Sequence, residues 1–204
     1  MLTDRDAAIL DMIYRHRYVT TGQIQRRFFS GRRTCQTRLQ QLHSAGLLGR
    51  YRPVTQGEGR RDFIHWITDA GCKEIGQPPS KRPALNPAHM RHYLAVTDYV
   101  LAKRPASYDL APDIGGYNPD AYIETTILDR TRTAYVEVDM GTESEAKIER
   151  KVRAYERAYK SGREAWPYIV FVAPSAGRLQ TLKAWVEKHR KVREMIYQYE
   201  TMGG

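Results

Sequence analysis

Thr3 and Asp6 open the chain with a capping-box signal, a hydroxyl and an acid three residues apart that satisfy each other's backbone amides. Ile9, Leu10, Ile13 and Tyr14 follow at helical spacing and predict a first helix ending near Arg17. Val19-Thr20-Thr21 leads into a short second helix carrying Ile24 and Phe28, which Ser30-Gly31 breaks. Cys35, Leu39 and Leu42 mark a third helix that stops at Gly46. Two β-prone runs, Leu47 to Val54 and Asp62 to Ile67, then flank the turn Gln56-Gly57-Glu58-Gly59 and read as a hairpin. Thr68-Asp69-Ala70-Gly71 begins one more short helix. Helix, helix, helix, hairpin is the order of a winged helix-turn-helix.

The periodicity lapses from Gly76 to Pro87, a stretch with four prolines, which sets the expected division: residues 1–76 as one domain, 77–87 as a semi-rigid linker and 88–204 as a second domain. Helical spacing returns from Ala88 to Arg104 through Leu94, Val96, Val100 and Leu101. A short run at Ser107–Leu110 precedes a glycine-rich bend, a strand from Asp120 to Leu128, a polar turn over Asp129-Arg130-Thr131-Arg132 and a strand over Thr133–Met140. Thr142 with Glu145 is a second capping box, and Ile148, Val152, Tyr155 and Tyr159 give the stripe of a helix over Glu143–Lys160. Tyr168 to Val172 is uninterruptedly apolar, as a strand covered on both faces should be. Strand, helix and such a strand in succession imply a parallel crossover. Ser175 to Arg190 adds an amphipathic helix, and the tail beyond Met195 receives no assignment.

Within this second half the stretch from Asn118 to Tyr155 concentrates the chemistry. Asp120 enters one strand, and alternation places Tyr135, Glu137 and Asp139 on one face of the next, with Ala134, Val136, Val138 and Met140 on the other. Unneutralised carboxylates so close would repel, which raises the question of a divalent cation.

Composition changes the picture of the first half most. The chain has a formal net charge of +10; residues 1–76 hold 13 Lys+Arg against 7 Asp+Glu, whereas 88–204 hold 18 against 16. No acid occurs from Met12 to Gly57, and every fixed cation there is an arginine, the side chain whose planar fork pairs with phosphate and can read guanine. A surface built only for solubility mixes both signs. The polar side of the third helix, Arg32, Arg33, Thr34, Gln36, Thr37, Arg38 and Gln40, is therefore the expected groove-facing surface. Arg50, Arg52, Arg60 and Arg61 on the hairpin would contact the DNA backbone or minor groove. Cys35 and Cys72 form no metal or disulfide pattern, the N-terminus is not a signal peptide, and no apolar run reaches membrane-spanning length, so the expected location is cytoplasmic.

The order α-β-β-β-α-β over Ala88 to Val172, with Pro119-Asp120 entering the second strand and Glu137-Val138-Asp139 on the third, resembles the PD-(D/E)XK nuclease core. The whole chain, adding His92-Tyr-Leu-Ala-Val96, Glu137-Val-Asp-Met-Gly-Thr-Glu143 and Lys151 with Tyr155, resembles the replication-relaxation family. That resemblance implies an α+β or α/β protein, a winged helix-turn-helix followed by an αβββαβ nuclease-like domain. It also implies a role in replication or relaxation of plasmids and other mobile elements. Asp120 and Glu137 match the metal-binding acids of the nuclease core. The position of its catalytic lysine, two residues after the second acid, holds Asp139, and Lys147 or Lys151 of the next helix would have to substitute. If the domain is active, the catalytic set is Asp120, Glu137, Asp139 and Lys151, with Mg²⁺ or Mn²⁺ held by Asp120 and Glu137.

The expected function is a double-stranded DNA-binding accessory or regulatory protein with a degenerate nuclease-like domain, needing no cofactor for DNA binding. The alternative is a Mg²⁺-dependent endonuclease or nickase. Candidate partners are double-stranded DNA, replication or relaxase proteins and a second copy of the chain, with no membrane.

Overall fold

The computed structural model describes residues 2–53, 62–80, 87–159 and 166–202. The chain divides into two compact units, Met1–Leu101 and Ala102–Gly204. It is a mixed α and β protein with seven helices and two sheets among the described residues.

In the first unit, α1 (Asp4–His16) begins with the capping box of Thr3 and Asp6, and α2 (Thr21–Phe28) with a second box of Thr20 and Gln23. α3 (Arg32–Ser44) starts at Gly31 without a side-chain cap. A three-stranded sheet, in the order β1-β3-β2, joins β1 (Val19–Thr20), β2 (Leu48–Tyr51) and β3 (Ile64–Ile67), all antiparallel. Gly49 lies opposite Trp66, and a Cβ at Gly49 would sit 2.1 Å from the indole, so only glycine lets Trp66 lie across the strand. Ile9, Leu10, Ile13, Ile24, Leu39, Leu42 and Leu48 form the buried core beneath. The expected turn Gln56-Gly57-Glu58-Gly59, Arg60 and Arg61, and most of the expected linker lie outside the described residues.

The unit continues through α4 (Asp69–Glu74) into most of α5 (Pro87–Lys103). The expected division at 77–87 and the division after Leu101 differ because α5 is tied to the helices before it. Gln23 Nε2 donates to the Leu94 carbonyl at 3.0 Å, and Arg26 pairs with Asp98 at 2.6 Å. His16 Nδ1 meets Thr97 Oγ1 at 2.9 Å; that hydroxyl donates to the Tyr93 carbonyl, so the ring nitrogen is the donor.

His16 and His65 are both buried, and desolvation lowers each pKa to about 4. A histidine depressed in the folded state contributes stability above its unfolded value of 6.5 that is lost as pH falls toward the folded one. Urea unfolding at pH 7.5 and pH 6 should therefore show the first unit losing about 1 kcal/mol per histidine, and His16→Gln should shrink that loss by about half. A midpoint independent of pH over this window would contradict the buried neutral rings.

The second unit holds a five-stranded sheet in the order β4-β5-β6-β7-β8. β4 (Ser107–Leu110), β5 (Ala121–Ile127) and β6 (Arg130–Val138) form an antiparallel meander; β7 (Tyr168–Ala173) and β8 (Tyr197–Thr201) add in parallel. α6 (Glu145–Tyr159) connects β6 to β7, and α7 (Ala176–His189) connects β7 to β8. Ile148, Val152 and Tyr155 of α6 and Leu182 and Val186 of α7 pack on one face of the sheet against Tyr135, Ile169, Phe171 and Ala173. The tail left unassigned by sequence is thus an edge strand.

Two local expectations shift. The β5–β6 turn is Leu128-Asp129, with φ of 48° and 59°, and Arg130 to Arg132 belong to β6. α6 begins at Glu145 rather than Glu143. Asp139 Oδ1 accepts the amides of Gly141 at 2.8 Å and Glu143 at 3.4 Å, and Arg178 Nη2 donates to the Glu143 carbonyl at 2.6 Å, which hold 141–143 as a loop. Gly141 turns there with φ of 85°.

Candidate functional site

Strand alternation puts Tyr135, Glu137 and Asp139 on the face covered by α6 and α7, so the two acids are buried beneath helices. Glu137, 1% exposed, accepts three hydrogen bonds. Tyr117 and Tyr155 each donate to Oε1 at 2.6 Å, and Lys151 Nζ donates to Oε2 at 2.7 Å. Tyr117 comes from the loop after β4, where Asp113 accepts the amides of Gly115 and Gly116 and shapes the bend. Its ring packs edge-on to Tyr155 at 5.4 Å, and Tyr155 lies 5.8 Å from Tyr135.

Charge states follow from this geometry. Burial and the Glu137 carboxylate push both phenols far above the ordinary tyrosine value, so each keeps its proton and donates. Burial alone would lower Lys151, but the attraction of Glu137, Asp120 and Glu143 outweighs it and holds the amine charged. Burial pushes the Glu137 carboxyl up, against the opposing pull of Lys151. Three donors on two oxygens leave it the acceptor-only carboxylate of an ion pair.

Asp120 faces this pair more loosely: its Oδ2 accepts the Val138 amide at 2.7 Å, which pins the start of β5 to β6. Glu143 lies 2.9 Å from Lys151 Nζ through Oε2, although that oxygen makes no hydrogen bond there, and 2.5 Å from Lys147 through Oε1. Of the two α6 lysines, Lys151 is buried on Glu137 and Lys147 is exposed. Asp139 is spent differently, since Arg178 Nε binds its Oδ2 while the loop amides occupy Oδ1. The site therefore brings together Asp120, Glu137 and Lys151 and assigns Asp139 to holding the loop and the start of α7.

A divalent cation needs carboxylate oxygens with free lone pairs facing one point. Here Glu137 and Asp139 already have both oxygens engaged by donors, and among the described residues no group of three or more His, Cys, Asp or Glu could hold a metal ion. Of the two expected ligands, Asp120 accepts the Val138 amide and Glu137 accepts three donors, so Mg²⁺ or Mn²⁺ would compete with Lys151 and two phenols for Glu137.

In the first unit, Arg33, Thr34, Gln36, Thr37 and Gln40 are exposed along α3. Arg32 is exposed and pairs with Asp62, which also accepts the Gly22 amide at 2.8 Å. Arg38 is turned back: Nε donates to the buried Asp6 at 2.7 Å, Nη2 also binds that carboxylate, and Nη1 donates to Gln41 at 2.7 Å. Hydrogen bonds from Arg38 and from Thr3 hold the Asp6 carboxyl well below the usual carboxylate range. Arg50 and Arg52 stack on the Phe63 ring, 4.5 Å and 3.9 Å from its centroid.

Sequence reading did not assign Tyr117 or Arg178 to the site. Tyr117 follows two glycines in a loop, and Arg178 stands 39 residues from Asp139 on another helix, so no spacing rule joins them to their partners.

The family model of replication-relaxation proteins matches residues 10–172, and the chain belongs to that family. Membership suggests a role in plasmid or mobile-element replication or relaxation. Searches of curated proteins and of solved structures find no match. No helix among the described residues is long and apolar enough to cross a membrane.

Proposed function

We propose that this protein binds double-stranded DNA as an accessory or regulatory factor in replication or relaxation of a mobile element. In this reading the first unit is a winged helix-turn-helix, with the exposed polar side of α3 in the major groove and Arg50 and Arg52 on the backbone. The second unit is a nuclease-like domain that has lost its chemistry. One observation supports the loss: the carboxylate that would hold a metal, Glu137, has both oxygens engaged by Tyr117, Tyr155 and Lys151. A cation there would compete with a buried ammonium and two phenols, and any donor it displaced would lack its partner.

The alternative, a Mg²⁺-dependent endonuclease or nickase, is favoured by one specific contact. Lys151 reaches Glu137 from α6, where a lysine displaced from the Asp139 position could stand. Incubating the full chain with supercoiled, linear and branched DNA in Mg²⁺ or Mn²⁺ separates the two. We expect DNA binding without cleavage, and calorimetry of either metal against the protein should give no heat of binding. Metal-dependent nicking lost in both Asp120→Ala and Glu137→Ala, with DNA binding retained, would establish the nuclease.

A further inference from the structure

The β5–β6 hairpin reaches past both of its neighbours in the sheet. β4 pairs with β5 only over Ala121 to Glu124, and β7 pairs with β6 only over Ala134 to Val138. Among the described residues no strand flanks Thr125 to Thr133, which form a two-stranded ribbon held by the pairs Thr125↔Arg132, Thr126↔Thr131 and Ile127↔Arg130. Thr126, Leu128, Asp129, Arg130, Thr131 and Arg132 of this ribbon are exposed.

Its sequence is unusual for a bare turn. Leu128 is 92% exposed and sits at φ of 48°, a left-handed conformation that Gly or Asn adopts at far less strain. Both central residues have positive φ, as a type I′ turn requires, yet the positions hold Leu and Asp. Neither folding nor solubility selects an exposed leucine there. Behind it, Arg130 and Arg132 are exposed and lie on one face of the ribbon by alternation, while Thr126 and Thr131 are exposed on the other. Asp129 is the one acid between Thr125 and Thr133.

We propose that this ribbon is a second DNA-contacting element, which enters a groove of the duplex. A two-stranded β-ribbon fits the major groove in width, arginines on one face reach phosphates, and an apolar tip packs against base edges such as the thymine methyl. Charge complementarity selects DNA over a protein surface: the exposed ribbon carries two arginines and one acid. The proposal rests on the DNA-binding reading above and extends it to the second unit.

The test uses the full chain and a random duplex, with affinity measured over a range of salt. The double variant Arg130→Gln, Arg132→Gln should weaken binding about tenfold and flatten the dependence of log affinity on log salt by about two, because each lost phosphate contact removes about 0.9 of slope. Leu128→Gly, which relieves the left-handed residue and keeps the fold, should weaken binding while leaving the slope unchanged. Arg33→Ala on α3 is the control for the first unit. If Arg33→Ala weakens binding and the ribbon variants do not, the ribbon proposal is overturned and the DNA-binding reading stands. If the unaltered chain does not bind DNA, both fall. Loss of self-association in Leu128→Gly, with DNA affinity and slope intact, would assign the tip to a protein contact and overturn the proposal.

Discussion

Lys151→Ala should destabilise the second unit by about 3–5 kcal/mol, because it leaves the Glu137 carboxylate buried without a counter-ion. Glu137 is 1% exposed and the Lys151 side chain 9%, so water does not take over the lost contact. Tyr117 and Tyr155 still donate to Oε1, but two neutral hydroxyls do not compensate a full charge in this environment. The loss should depend on pH in a definite direction. Burial already raises the Glu137 pKa, and removing Lys151 raises it further. A carboxyl raised in the folded state favours folding below its unfolded pKa and loses that contribution as pH rises through the folded one. The variant should therefore lie closer to the parent at pH 5 than at pH 8 in urea unfolding. Glu137→Gln in the Lys151→Met background should recover most of the stability, since a neutral amide no longer needs the ammonium. A cost below 1 kcal/mol at pH 8 would mean that the pair is solvated and that Glu137 is open to a cation. If Lys151→Ala does not fold, the double variant carries the test.

Much of this site is legible in the sequence as a face and little of it as a set of partners. Period-two alternation over β6 places Glu137 and Asp139 together beneath the helices, and the stripe of Ile148, Val152 and Tyr155 sets which side of α6 meets the sheet. Lys147 and Lys151 share that helix side at a spacing of four. Only the rotation of α6 on the sheet decides that Lys151 is buried on Glu137 while Lys147 stays at the rim with Glu143. The later start of α6 was hidden for a related reason: Thr142 with Glu145 has the pattern of a capping box, but Asp139 and Arg178 hold the loop from outside the local sequence. The β5–β6 turn escaped because sequence rules look for Gly or Asn at positive φ and find Leu128 instead. The apolar positions of α5 predict a helix, yet the same stripe could pack on either unit. Contacts such as Gln23 to Leu94 settle it, and they are visible only in three dimensions.

Arginine content points to DNA along α3, but the arginines there divide into two kinds that a charge count does not separate. Arg38→Ala should lower the stability of the first unit by about 3 kcal/mol, since truncation leaves the wholly buried Asp6 carboxylate with only its Thr3 donors. Asp6 is also the acid of the capping box that starts α1, so helix start and helix packing depend on one group. Arg33→Ala, at an exposed position, should change stability by less than about 0.5 kcal/mol. DNA affinity should show the opposite order once folding is controlled. Measured at a temperature where both variants are folded, Arg33→Ala should lose affinity and flatten the salt dependence by about one contact, while Arg38→Ala should keep the parent slope. Equal slopes for Arg33→Ala and the parent would remove this residue from the interface. A flattened slope for folded Arg38→Ala would mean that Arg38 leaves Asp6 to reach phosphate, and the buried pair would then be a resting contact that DNA displaces.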